Sequence, residues 1–261
     1  MCRKITAIAI VATILMLVVT PAGAITFGQP DGNGHPNVGL LLGDFGDGTP
    51  TPECSGTLIA PTVFLTAGHC TLLFSQLGIT KIWVTFDTKF DLQTSKLIPA
   101  TSFATHPDFN PNTLRNDVGV VILSEQVLGV TPGVLPPENL LDQMKAAGTL
   151  QGQTFVNVGY GMTAAFKGMP PTRVFDGVRR FSTSPYGSLT QNWLHLSGNH
   201  DATGEGGTCF GDSGGPHFLG DSNLIVSVTS WGDAICRSLG MTQRMDTASV
   251  LTFLDDYVTL R

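Results

Sequence analysis

The chain has 261 residues, 42% of them hydrophobic and 13% charged, with a formal charge of −6. That length and apolar content suit one large domain or two small ones with real cores. The acidic balance, with no basic run, argues against nucleic-acid binding, which needs a clustered positive face.

The chain opens on a short basic start, Arg3 and Lys4; residues 5–20 are almost wholly apolar, and Pro21 precedes Ala22, Gly23 and Ala24. This pattern predicts a secretory signal peptide over 1–24, cut after Ala24 and leaving a secreted, extracellular chain. Its apolar run is somewhat short for a membrane span. The cut also removes Cys2. Four cysteines then stay, Cys54, Cys70, Cys209 and Cys236. An even count in a secreted chain predicts two disulfides, with three connectivities open. No pair has C-x-x-C spacing and no H-E-x-x-H occurs, which disfavours zinc.

Short apolar runs rich in β-branched residues predict strands at 57–59, 63–66, 82–86, 118–123, 155–158 and 224–230. Turn residues at 43–52, 110–112 and 198–207 punctuate them, an all-β pattern. Residues 130–153, with Pro132, Pro136 and Pro137, read as a connector between two halves. Val250, Leu251, Phe253, Leu254, Tyr257 and Val258 recur at helical spacing, predicting a closing helix over 247–260 that packs on the core.

Three stretches carry candidate chemistry. The run Leu65-Thr66-Ala67-Gly68-His69-Cys70 ends an apolar strand on an imidazole, the side chain best suited to take a hydroxyl proton near neutral pH. Asp117 stands at the mouth of the apolar run 118–123. An acid there is ordinarily a turn residue, but a buried one needs a partner, and an imidazole N–H serves. The stretch 206–216 sets a single serine, Ser213, among five glycines with Asp212 directly before it. Most glycine-rich stretches are surface turns. The sharper reading is a nucleophile whose neighbouring N–H groups point at the reacting atom. Asp108 competes with Asp117 but lacks the apolar strand. His35, His106, His195, His200 and His217 have no second ligand at metal spacing.

In this order the motifs Thr-Ala-Gly-His-Cys, Asn-Asp-Val-Gly-Val-Val-Ile-Leu and Gly-Asp-Ser-Gly-Gly-Pro resemble those of the chymotrypsin-like (trypsin-fold) serine proteases, the secreted bacterial type in particular. The resemblance covers nearly all of 25–261. It implies an all-β fold of two six-stranded antiparallel β-barrels, over 25–135 and 136–261, with the closing helix in the second. It implies a serine endopeptidase with no cofactor and no metal. Ser213 would attack the scissile carbonyl, His69 would shuttle the proton, and Asp117 would fix the imidazole. The N–H groups of Gly211 and Ser213 would form the oxyanion hole.

The same resemblance pairs Cys54 with Cys70 and Cys209 with Cys236. It lays Ser230, Trp231 and Gly232 beside the substrate backbone and puts Gly207, Thr208 and Phe210 in the specificity pocket. Gly207 stands at the pocket floor, where trypsin-like members carry an aspartate, so strict Lys/Arg specificity is disfavoured and a small or apolar P1 side chain expected. Residues 240–245 depart from the usual pocket-closing segment. Asp212 would pair with the α-amine of Ile25 exposed by the cut. The start here is Ile-Thr-Phe-Gly, against the family's Ile-Val-Gly-Gly. The implied partners of this monomer are protein or peptide substrates and protein inhibitors, with no nucleic acid and no membrane. Two rivals stand beside it, a catalytically silent binding module of the same fold and an esterase. The strand–G-x-S-x-G–helix context of the α/β-hydrolases is missing.

Overall fold

Short strands dominate the computed structural model, which describes residues 25–165 and 172–259. The expected signal peptide lies outside those residues. In chain order the elements are β1 (Gln29–Pro30), β2 (Val38–Asp44), β3 (Pro50–Ala60), β4 (Val63–Thr66), α1 (Gly68–Leu77), β5 (Ile82–Thr85), β6 (Ile98–Thr105), β7 (Gly119–Leu123), α2 (Leu140–Ala146), β8 (Thr154–Gly159), β9 (Thr163–Ala165), β10 (Thr172–Val174), β11 (Arg180–Leu189), β12 (Trp193–Ser197), α3 (His200–Thr203), β13 (Pro216–Leu219), β14 (Ile225–Gly232), β15 (Leu239–Arg244) and α4 (Ala248–Asp255).

Two six-stranded antiparallel barrels result. The first closes in the order β2-β3-β4-β7-β6-β5. The second runs β11-β12-β15-β14-β13-β8 and closes through pairing of β8 with β11, with β1 added on β11. Closure leaves no long exposed edge in either barrel. Leu41, Leu58, Phe64, Val84 and Val121 fill the first, and Phe155, Leu194, Leu196 and Val226 belong to the core of the second. A further apolar cluster spans the seam: Leu65, Val118 and Val120 from the first barrel meet Val158, Phe218 and Val228 from the second, sealed by Val250, Phe253 and Leu254 of α4. Burial of that helix face is as expected. The helix itself stops at Asp255, short of 260, because Tyr257 N–H bonds back to the Leu254 carbonyl three residues earlier and tightens the last turn.

Other elements differ from expectation for physical reasons. The turn expected over 43–52 shrinks to 45–49, since Gly43 and Asp44 end β2 and Pro50 opens β3. Pro52 has no N–H for the ladder, and here the register breaks: Leu41 faces Cys54 and Leu42 faces Pro52, so Glu53 bulges out with no partner on β2. His69 lies in the first turn of α1 rather than at a strand end. No side chain caps that helix at Ala67, so the usual start signal is missing.

One buried cation ties the N-terminal segment and both barrels together. Arg179, fully buried, donates to Asp31 Oδ2 at 2.9 Å, to the carbonyls of Val38 (3.1 Å) and Phe86 (2.9 Å), and to that of Gly32 (2.9 Å). A guanidinium is tolerable there because each edge of its fork meets an oxygen.

Candidate active site

The candidate catalytic residues lie at the seam between the barrels. Asp117 precedes β7, is fully buried, and receives donors from both sides. The backbone N–H of His69 donates to Oδ1 at 2.7 Å, and the ring Nδ1 lies 2.8 Å from Oδ2. From the second barrel, Ser230 Oγ donates to Oδ2 at 2.5 Å, and Gln243 Oε1 accepts from the Asp117 N–H at 3.3 Å. A proton on Nδ1 facing the carboxylate leaves Nε2 as the acceptor. Burial opposes charge on this imidazole. The Asp117 hydrogen bond and charge, helped by the charge of Glu53, outweigh it and raise the His69 pKa above 6.5.

The loop carrying Ser213 is shaped by two glycines. Gly211 has φ +91° and Gly214 has φ +77°, and a Cβ at Gly214 would come within 2.2 Å of Thr66 Oγ1. Only glycine takes that backbone and that space without strain. The Ser213 carbonyl accepts the Ser55 N–H at 2.9 Å, and Ser55 Oγ donates to the Gly211 carbonyl at 2.9 Å. With both carbonyls engaged, neither the Gly211 nor the Ser213 N–H donates to any described residue. Ser213 Oγ makes no hydrogen bond to His69. Both residues line one cavity of about 270 Å³. Such contacts are often long without substrate and tighten on binding.

Thr208, Phe210, Ser230, Trp231 and Gly232, expected to touch substrate, line that same cavity. Gly207 does not. It lines a separate void of about 10 Å³ with Gly198, His217, Gly240 and others. Asp233, which the sequence left unplaced, is in the wall of both, its carboxylate accepting the N–H groups of Arg237 and Ser238. Glu205 lines neither and accepts from Thr183 Oγ1. Phe210 and Trp231 are half exposed at the cavity mouth, and the Arg173 guanidinium lies 4.4 Å over the Phe210 ring. The disulfides are Cys54–Cys70 and Cys209–Cys236, one beside His69 and one before Ser213.

Ile25 and Asp212 are both fully buried. Asp212 accepts the N–H groups of Gly161 (2.8 Å) and Cys209 (2.9 Å) and has no ion-pair partner among the described residues. Thr26, next to Ile25, accepts the Gly207 N–H at 3.1 Å, so this segment is stitched to the stretch leading into Ser213. Sequence reasoning missed Ser55, Gln243 and the hydroxyl of Ser230. A serine or glutamine in an apolar run carries no signal of its partner. Four of the other histidines find partners in the protein: His35 with Asp31, His106 with Ser249, His200 with the Glu205 carbonyl, and His217 between Asn157 and Thr229.

The balance at His69 can be read in solution. In wild type the imidazole should titrate above 6.5 by NMR. In Asp117→Asn burial persists without its compensating charge, so the pKa should fall below 6.5. An unchanged value would mean that Asp117 does not set the state of this ring.

Comparison with known proteins agrees with this fold. The family model described as Trypsin matches residues 35–249. The chain is 28% identical to brachyurin of Leptuca pugilator over 194 residues, covering 69% of this chain and 76% of that one. It is 29% identical to trypsin of Saccharopolyspora erythraea over 188 residues, 70% of this chain and 77% of that one. Relatives in such different organisms match alike, so nothing singles out a bacterial type. Among solved structures, HL collagenase superposes with a TM-score of 0.68 at 19% identity, covering 90% of this chain and 98% of that one. Human heparin binding protein does so at 0.64 and 17%, covering 88% and 95%. The two barrels and the extent of the family match place this chain in the trypsin family of serine-type endopeptidases.

Proposed function

We propose that the protein is a secreted endopeptidase that cleaves protein or peptide substrates through Ser213, His69 and Asp117. The observation that carries this reading is the 2.8 Å contact of His69 Nδ1 with buried Asp117, on a cavity whose wall also holds Ser213. His69 Nε2 takes the Ser213 proton as Oγ attacks the scissile carbonyl, then gives it to the leaving amine. The N–H groups of Gly211 and Ser213 hold the oxyanion, each such donor typically worth about 3 kcal/mol of barrier. Water then releases the acyl group by the reverse path. No described helix is long and apolar enough to cross a membrane; export rests on the segment 1–24.

The specificity proposal is a small or apolar P1 side chain. The uncharged Gly207 and the narrow void beside it support this. Asp233 is the one acid in that wall, and its oxygens are engaged by backbone N–H groups. A silent binding module remains the second reading, favoured by the missing Ser213–His69 bond. A fluorophosphonate probe should label wild type and not Ser213→Ala, and a randomised peptide library should be cut after small or apolar residues. Absence of labelling would favour the binding module. Labelling with ester but no peptide cleavage would favour the esterase, and cleavage confined to Lys and Arg would overturn the pocket reading.

The pairing of Ile25 with Asp212 is proposed on the burial of both. Burial raises the Asp212 carboxyl from 3.8 to about 7, eased only partly by the Cys209 and Gly161 N–H groups and by Arg180. An acid whose folded pKa lies above its unfolded one keeps a proton that the unfolded chain releases, so stability falls as pH rises across that interval. A free α-amine at Ile25 would supply the missing cation and abolish the loss. The amine's own contribution, raised by the carboxylate, would be present below about 8 and lost as pH climbs through its folded value. In urea melts, a chain still carrying Ala24 should lose stability between about pH 4 and pH 7, and a chain starting at Ile25 should not. Equal slopes would remove the pairing.

A further inference from the structure

One exposed cation, Arg173, is held against the candidate cavity and has no part in the mechanism above. It lies on β10, which pairs with β9 in a short hairpin. That hairpin is fastened to the loop that carries Ser213. Met162, just before β9, donates its N–H to the Phe210 carbonyl at 2.6 Å, and the Gly161 N–H donates to Asp212 at 2.8 Å. The Arg173 guanidinium lies 4.4 Å over the Phe210 ring, and its Nη2 donates to the Ala234 carbonyl. Phe210 shares the cavity wall with His69, Ser213 and Trp231, and Ala234 follows Asp233 of the same wall. Arg173 is therefore tied to both segments that the Cys209–Cys236 disulfide also joins, and it sits where half-exposed Phe210 meets solvent.

We propose that Arg173 is a specificity-determining residue that favours substrates with Asp or Glu near the scissile bond but not at P1, a selection that rests on the endopeptidase reading. Stacking on a ring uses the face of a guanidinium and leaves the donors around its edge. Here only Nη2 is spent, on Ala234; Nε and Nη1 donate to no described residue. Nor does an acid neutralise the charge. Arg179, Arg180, Arg237 and Arg244 each meet an aspartate, whereas Arg173 meets none among the described residues. Asp233, beside Ala234, has its oxygens engaged by the N–H groups of Arg237 and Ser238. The remaining edge is a planar fork that matches a carboxylate, and the ring beneath it holds that fork in place before a substrate arrives. The P1 side chain is assigned to the void beside Gly207, whose wall does not include Phe210, so the carboxylate comes from another residue of the substrate.

A neutral peptide that the mature wild-type chain cleaves provides the test. Each residue flanking the scissile bond, other than P1, is replaced in turn by Asp or by its neutral isostere Asn, and kcat/KM is measured for both. Because each ratio is taken on one enzyme, the folded fraction of a variant cancels. In wild type at least one position should favour Asp about fivefold, the scale of one well-formed exposed charge pair. Arg173→Gln should bring that ratio to about one, and Arg173→Glu should bring it below one. A wild-type ratio near or below one at every position, or a preference for Asp that survives Arg173→Gln, overturns the proposal alone. Failure of wild type to cleave any peptide overturns the endopeptidase reading and this selection with it.

Discussion

One buried carboxylate joins the two halves of this protein. Asp117 enters the seam from the first barrel and accepts from His69 on its own side and Ser230 on the other, while Gln243 holds its backbone. An acid in that position is affordable only because its oxygens meet donors. The barrels are thereby coupled to the candidate site. If they separated, Asp117 would lose the Ser230 donor to its carboxylate and the Gln243 acceptor on its backbone. The apolar seam built on Val118, Val158, Phe218 and Val228, and the α4 face that seals it, keep that carboxylate dry.

The loop carrying Ser213 follows a complementary logic. Its glycines allow a tight turn, and Ser55 reaches across from β3 to engage the carbonyls of Ser213 and Gly211. With those carbonyls tied back, the Gly211 and Ser213 N–H groups stay without a partner among the described residues, as the proposed oxyanion hole requires. The same strand carries the Cys54 bridge to Cys70 beside His69. β3 therefore ties the Ser213 loop and the disulfide beside His69 to one strand, the strand that bulges at Glu53.

How much of this was legible in the sequence depends on how local each signal is. The runs 63–66, 118–123 and 155–158 read as strands because both faces are covered and the apolar pattern is continuous. Among the strands that were missed, β6 is mostly half exposed or exposed and β12 alternates buried with half-exposed positions, while β2 is interrupted by glycines and runs into the turn residues at 43–44. His69, Asp117 and Ser213 stood out through motif and order. Ser230 was read for its backbone while its hydroxyl role went unseen, because a partner 113 residues away leaves no local trace. The bulge that frees Glu53 arises from Pro52 in a paired strand, and its register is set only when β2 and β3 meet. The void beside Gly207 likewise depends on Gly198 and Gly240, which only the fold brings together.

A double-mutant cycle across the seam tests the joint most directly. Rates of Ser213 acylation by a fluorophosphonate would be compared for wild type, Asp117→Asn, Ser230→Ala and the double variant. If Ser230 acts through the Asp117 carboxylate, its loss slows wild type but adds little once Asp117 is gone. Two effects that simply multiply would show that the residues act independently and that no shared carboxylate organises the site.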